Sequence, residues 1–181
     1  MYRRIILSGH AASGKDYARK VLQEIGLKYG ISYTSRPPRE GEIDGVDYYF
    51  LSKEQFEEKV SKDFWYEYVE FNGWYYGTSN EQFLNTDNVF IMTPKGISLI
   101  KPEDRGDSYV VYFNIPESVR IERLKDRQDT DDSMERRLES DRKDFENFFS
   151  WEYMVTNPKF YILDLLEDIF PIENMVTILN K

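Results

Sequence analysis

The chain reads as an α/β protein built on a parallel sheet with helices on both faces, and three observations carry that reading. Apolar segments at 3–7, 87–92 and 108–114 have the length and content of buried strands, and stretches with helical spacing stand between them. A glycine-punctuated loop joins the first such strand directly to the first helix. Between residues 45 and 80 the alternation gives way to a hairpin, which makes a β-rich excursion from the sheet.

In order along the chain, 3–7 is a strand and 16–26 a helix, with Ala18, Val21, Leu22 and Ile25 on one face. Residues 31–33 form a short strand that Pro37 and Pro38 end, and 47–51 another. Ser52 with Gln55 three residues later is a capping-box signature for a helix through Val60. Residues 65–71 and 74–77 flank Asn72-Gly73, the strongest hairpin signal in the sequence. A strand at 87–92, a helix at 95–101 and a strand at 108–114 follow. Ile115-Pro116 opens a helix to about residue 126, a polar break covers 127–132, and a charged helix spans 133–149. A last strand lies near 153–156, and 161–179 is helical around Pro171.

Composition narrows the function. The 181 residues suit one folded domain, and a net charge of −9 argues against broad nucleic-acid binding, which needs a basic face. No apolar run is long enough for a membrane helix, and the absence of cysteine excludes disulfides and thiolate metal sites. A cytoplasmic location is expected, and since nothing specifies a dimer, so is a monomer. A local basic cluster can still focus field on a small anion within such an acidic protein.

The first such cluster is the run Gly9-His10-Ala11-Ala12-Ser13-Gly14-Lys15-Asp16, which fits the phosphate-loop pattern G-x-x-x-x-G-K between a strand and a helix. Backbone N–H groups converge there on an anion, and Lys15 is positioned to bridge the terminal phosphates of a nucleotide. Where Ser or Thr usually follows the lysine, this chain has Asp16. His10, inside the loop, reads as a structural or tolerated residue. The second cluster is Arg36-Pro37-Pro38-Arg39, two arginines three apart on a stiff proline pair, a forked donor array suited to a second phosphate.

These motifs resemble the guanylate kinase family. The likeness covers the phosphate loop, with its divergent S-G-K-D ending, the S-x-x-x-R-P-P-R-x-G-E-x-D-G-x-D-Y-x-F segment from Ser32, the stretch 67–79 and residues 116–138. It implies a three-layer phosphate-loop kinase fold with a parallel core sheet, a small acceptor-binding lobe and a mobile lid. Core segments would be 1–34, 86–126 and 150–181, the lobe 35–85 and the lid 127–149. It also implies phosphoryl transfer from ATP to GMP or dGMP with Mg²⁺. Gly9, Ala11, Ala12, Ser13, Gly14, Lys15 and Asp16 would hold ATP, with Asn157 near its adenine. Arg36, Arg39, Tyr48 and Tyr76 would grip the acceptor phosphate, and Ser32, Glu67 and Thr78 would face the guanine. Arg127 and Arg137 would close over the triphosphate with Lys15, while Arg123 reads as charged helix surface.

Two family aspartates are replaced, by Ile91 and Thr93. Asp16 either serves Mg²⁺ in compensation or caps the helix that it begins. The lost carboxylates leave two further readings open: a kinase for another nucleoside monophosphate or phosphorylated acceptor, and a non-catalytic guanylate kinase-like binding module.

Overall fold

The computed structural model describes residues 3–71, 73–86, 88–125, 134–161 and 164–165, apart from the side chains of Thr86 and Arg137. β1 (Arg4–Gly9) runs into the loop that ends at α1 (Lys15–Glu24). The chain then leaves for a second sheet through β2 (Tyr33–Thr34) and β3 (Tyr49–Phe50), turns into α2 (Lys53–Ser61), and makes the hairpin of β4 (Trp65–Phe71) and β5 (Trp74–Ser79). A π-helical turn, Gln82–Thr86, returns it to the first sheet as β6 (Val89–Ile91). After α3 (Pro94–Ser98) and α4 (Pro102–Arg105) come β7 (Ser108–Phe113), α5 (Glu117–Lys125), α6 (Met134–Phe145) and β8 (Tyr153–Val155).

The first sheet has the order β6–β1–β7–β8, with every pairing parallel. Its strand alternation sends side chains to both faces. Ile5 and Leu7 pack with Ala18 and Leu22 of α1, together with Val111 and Phe113. Ile6 and Val110 face the other way, into a cluster with Phe83, Phe90, Met92 and Ile97. Two cores on one sheet make three layers, the α/β class expected from the sequence.

The second sheet, β3–β2–β5–β4, is mixed: β2 and β3 are parallel, and the other pairs antiparallel. Register pairs Glu67 with Thr78, Val69 with Tyr76 and Phe71 with Trp74. The opposite face rests on α2, whose fully buried Phe56 stacks on Trp65 at 4.1 Å and Tyr75 at 5.1 Å between ring centres. The expected capping box is formed, with Ser52 and Gln55 exchanging hydrogen bonds at 2.8 and 3.2 Å.

Several boundaries differ from expectation. The strand expected at 31–33 is Tyr33–Thr34 and belongs to the second sheet. The single helix expected over 95–101 is two short ones, because Pro102 holds Lys101 extended, at φ −61 and ψ 144. The polar break at 127–132 lies outside the described residues, as does most of the helix expected at 161–179, of which Tyr161 is described and not helical, and Asp164 and Leu165 are helical. Among the described residues no helix is long and apolar enough to cross a membrane.

Candidate active site

The loop after β1 ends at Gly14, whose φ of 103° is open to glycine and strained for other residues. No side chain caps α1, so its first turn opens toward the loop, and Asp16 sits in that turn, 65% exposed and 3.8 Å from Arg19. Lys15 lies across the loop and donates from Nζ to the carbonyls of Gly9 at 2.7 Å and His10 at 2.9 Å. Arg123 braces the outer side, donating to Ala12 O and Pro158 O, both at 3.0 Å. That corrects the expectation of a surface role: a guanidinium is long enough to join two backbone segments that lie far apart in sequence. His10 is buried against Phe145 of α6 at 4.4 Å, and burial lowers its pKa to about 4, so it stays neutral at physiological pH.

Across from the loop, Arg36 is buried and forks onto both oxygens of Glu42 at 2.8 and 2.9 Å. Glu42 also accepts from the Arg39 N–H at 2.8 Å, so one carboxylate organises the whole R-P-P-R turn. The Tyr48 ring lies 5.4 Å from the Arg36 guanidinium and 6.1 Å from Tyr76. Burial, with Tyr76 adding to it, pushes the Tyr48 hydroxyl up to about 12, so it remains a donor.

Glu67, 7% exposed, accepts from the Thr78 hydroxyl at 2.8 Å. Its other oxygen lies over Gly96: a Cβ there would stand 3.0 Å from Glu67 Oε2 and 3.6 Å from Thr93 Oγ1. Thr93 accepts from the Gly96 N–H at 3.1 Å and so caps α3. Desolvation raises the Glu67 carboxyl to about 7 against two hydrogen bonds from Thr78.

A single cavity of about 740 Å³ joins the two halves, bringing Gly9, Ala11, Ala12, Lys15 and Asp16 together with Ser32, Arg36, Arg39, Tyr48, Glu67 and Tyr76. On the outer side of the loop a second cavity, about 610 Å³, is lined by Ser13, Gly14, Tyr17, Arg123 and Phe160.

Comparison with known proteins decides the family. The guanylate kinase family model matches residues 1–170. The chain is 33% identical to the guanylate kinase of Thermus thermophilus over 175 residues, 92% of this chain and 76% of that protein. It is 34% identical to the Rickettsia felis guanylate kinase over 166 residues, 86% of this chain and 85% of that one. The chain belongs to the guanylate kinase family. The crystal structure of guanylate kinase from Anaplasma phagocytophilum shares the fold, with a TM-score of 0.71 at 19% identity over 97% of this chain and 85% of that one.

As a guanylate kinase family member the protein is a phosphotransferase that acts on a nucleoside monophosphate. Most residues expected at its site meet in the first cavity, and Thr78 reaches it through Glu67. Arg127 lies outside the described residues; Arg137 is on α6, but its side chain is not described. Asn157 turns inward on its own loop, its carboxamide oxygen accepting from the Lys159 N–H at 2.9 Å, while Pro158 and Phe160 line the second cavity. Ile91 and Thr93, where the resemblance led to the expectation of aspartates, both line the first cavity. Among the described residues no group of three or more His, Asp or Glu could hold a metal. The sequence reading missed Arg120 and Asp141, which pair at 3.3 Å beneath the loop. They stand 21 residues apart, on α5 and α6, and only the tertiary fold brings them together.

Proposed function

We propose that this protein transfers the γ-phosphoryl group of ATP to GMP or dGMP. The observation that carries the reading is the shared cavity: Lys15 at one wall, Arg36 and Arg39 at the other, with Glu67 at the base-binding end. Two anionic reactants repel one another, and separate cationic cradles in one chamber offset that repulsion while fixing their alignment. In this reading the acceptor phosphate is gripped by Arg36, Arg39, Tyr48 and Tyr76, carried on a lobe of residues 35–85. Ser32, Glu67 and Thr78 take the guanine edge. An ionised Glu67 accepts from both N1–H and the exocyclic amine, a donor pair that adenine lacks.

The donor phosphates lie on the loop from Gly9 to Asp16, and the adenosine in the second cavity beside Tyr17 and Phe160, close to Asn157. An acceptor phosphate oxygen, already ionised near neutral pH, attacks the γ-phosphorus, and the bond to the β–γ bridging oxygen breaks to release ADP. No general base is needed. Lys15, Arg127 and Arg137 balance the charge on the moving group, the last two from a lid of residues 127–149. Mg²⁺ favours one or two carboxylates completed by phosphates and water, and the single exposed carboxylate of Asp16 next to Lys15 suits that habit. When bound, the ion neutralises phosphate charge.

The test is ADP release from the purified protein with a panel of monophosphates. GMP and dGMP should be the best acceptors, and Lys15→Ala should lower turnover by about 10²- to 10³-fold. A preference for TMP or CMP would overturn the assignment.

A further inference from the structure

One carboxylate oxygen beneath the loop gathers a backbone and a guanidinium donor, as Glu42 Oε2 does in the R-P-P-R turn. Asp141 Oδ2, on α6, accepts from the Ala11 N–H at 2.7 Å and lies 3.3 Å from Arg120 Nη1. Asp141 is 8% exposed and Arg120 3%. Arg120 is anchored from behind, donating from Nε to the Ile115 carbonyl at 3.1 Å, with Glu117 3.6 Å away. A backbone N–H of a phosphate loop and a buried guanidinium, converging on one anionic oxygen, form the donor pair that holds a phosphate oxygen. The carboxylate belongs to a different element from either donor, and it lines the same cavity as Lys15.

We propose that Ala11 N–H and Arg120 form an oxygen site for the donor nucleotide's phosphates, which Asp141 occupies in this structure and vacates when the nucleotide binds. The proposal rests on the assignment of ATP to this loop. Exchange of one anion for another keeps Arg120 compensated; withdrawal of Asp141 without replacement would leave this buried cation only the longer contact to Glu117, so the two events are tied. Asp144, one turn further along α6, lines the same cavity, and burial followed by the charge of Asp141 raises its carboxyl above the usual range. A polyphosphate arriving at the loop therefore meets two carboxylates on α6 and displaces them, while Arg136 of the same helix, also at the cavity, favours the incoming charge. His10 packs on Phe145 of the same helix, so the shift of α6 is felt within the loop.

The experiment measures the affinity of ATP and of inorganic tripolyphosphate, without acceptor, by calorimetry on the full chain and its variants. Asp141→Ala should bind both probes about tenfold more tightly, the gain expected where the competent state is about one part in ten. Asp141→Asn, which keeps the shape, should move the same way, and serves if the alanine variant fails to fold. Arg120→Gln should weaken both probes, and adding it to Asp141→Ala should erase the gain. If the wild type binds ATP and neither Asp141 variant binds more tightly, Asp141 is a structural staple and the inference falls alone. If the wild type binds neither probe, the kinase assignment falls with it.

Discussion

Under the proposed function, burial of Glu67 carries a cost that a guanine base would relieve. Its carboxyl titrates near 7 because burial opposes the ionised form by more than the two Thr78 hydrogen bonds favour it. A folded pKa above the unfolded value means that the native state holds the proton longer. Stability therefore falls as pH rises from the ordinary carboxylate range through about 7, and the cost, on the order of 3 kcal/mol, is complete above that. Guanine presents N–H donors that favour the ionised form, so binding should expel the proton. Calorimetry of GMP at pH 7 in buffers of different ionisation enthalpy should report release of roughly half a proton from this group. Glu67→Gln should abolish that component while leaving any contribution from the phosphate, and should raise the acceptor KM by roughly 10- to 100-fold. The sequence carried this residue's position, through the hairpin alternation and the family pattern. It did not carry the burial, which depends on the α3 backbone at Gly96 closing over the carboxylate.

The β4–β5 hairpin is backed by α2 on the side away from the cavity. Val69, Phe71, Trp74 and Tyr76 line the cavity, whereas Tyr68 and Tyr75 lie on the side of Phe56. Phe56→Ala should cost about 3 to 5 kcal/mol and lower the melting temperature by roughly 6 to 20 °C. Acceptor KM should rise while ATP affinity is unchanged, because the phosphate loop lies on the other sheet. Equal losses for both ligands would show that α2 stabilises the whole chain and not the lobe. The hairpin and the α2 cap were legible because both are written in residues close together: Asn72-Gly73 between alternating runs, and Ser52 with Gln55. The π-helical turn and the split of α3 from α4 were harder to read. The first has no strong local signature, and the second depended on weighing Pro102 against an otherwise helical run. Arg120 and Asp141 lay beyond local reading altogether, since each looks like one more charge on a charged helix.

At the scale of the molecule, three cations around the cavity are satisfied by the chain's own acceptors. Arg36 is held by Glu42, Arg120 by Asp141, and Lys15 by the carbonyls of its own loop. Such pairing keeps these three cations around the cavity of an acidic chain of net charge −9. Under the proposed function each reactant would replace an internal acceptor, which would couple binding to movement at both walls. A cavity of about 740 Å³ between them leaves room for the walls to approach once their charges are bridged by phosphate. A compact chain of 181 residues has a radius of gyration of about 16 Å. X-ray scattering should give a value above this for the free protein and a shift toward it with a bisubstrate analogue that occupies both cradles. ATP alone or GMP alone should each produce part of the change, since each engages one wall. Identical profiles with and without the analogue would mean that the chamber is rigid, and water would then have to be excluded by the bound reactants themselves.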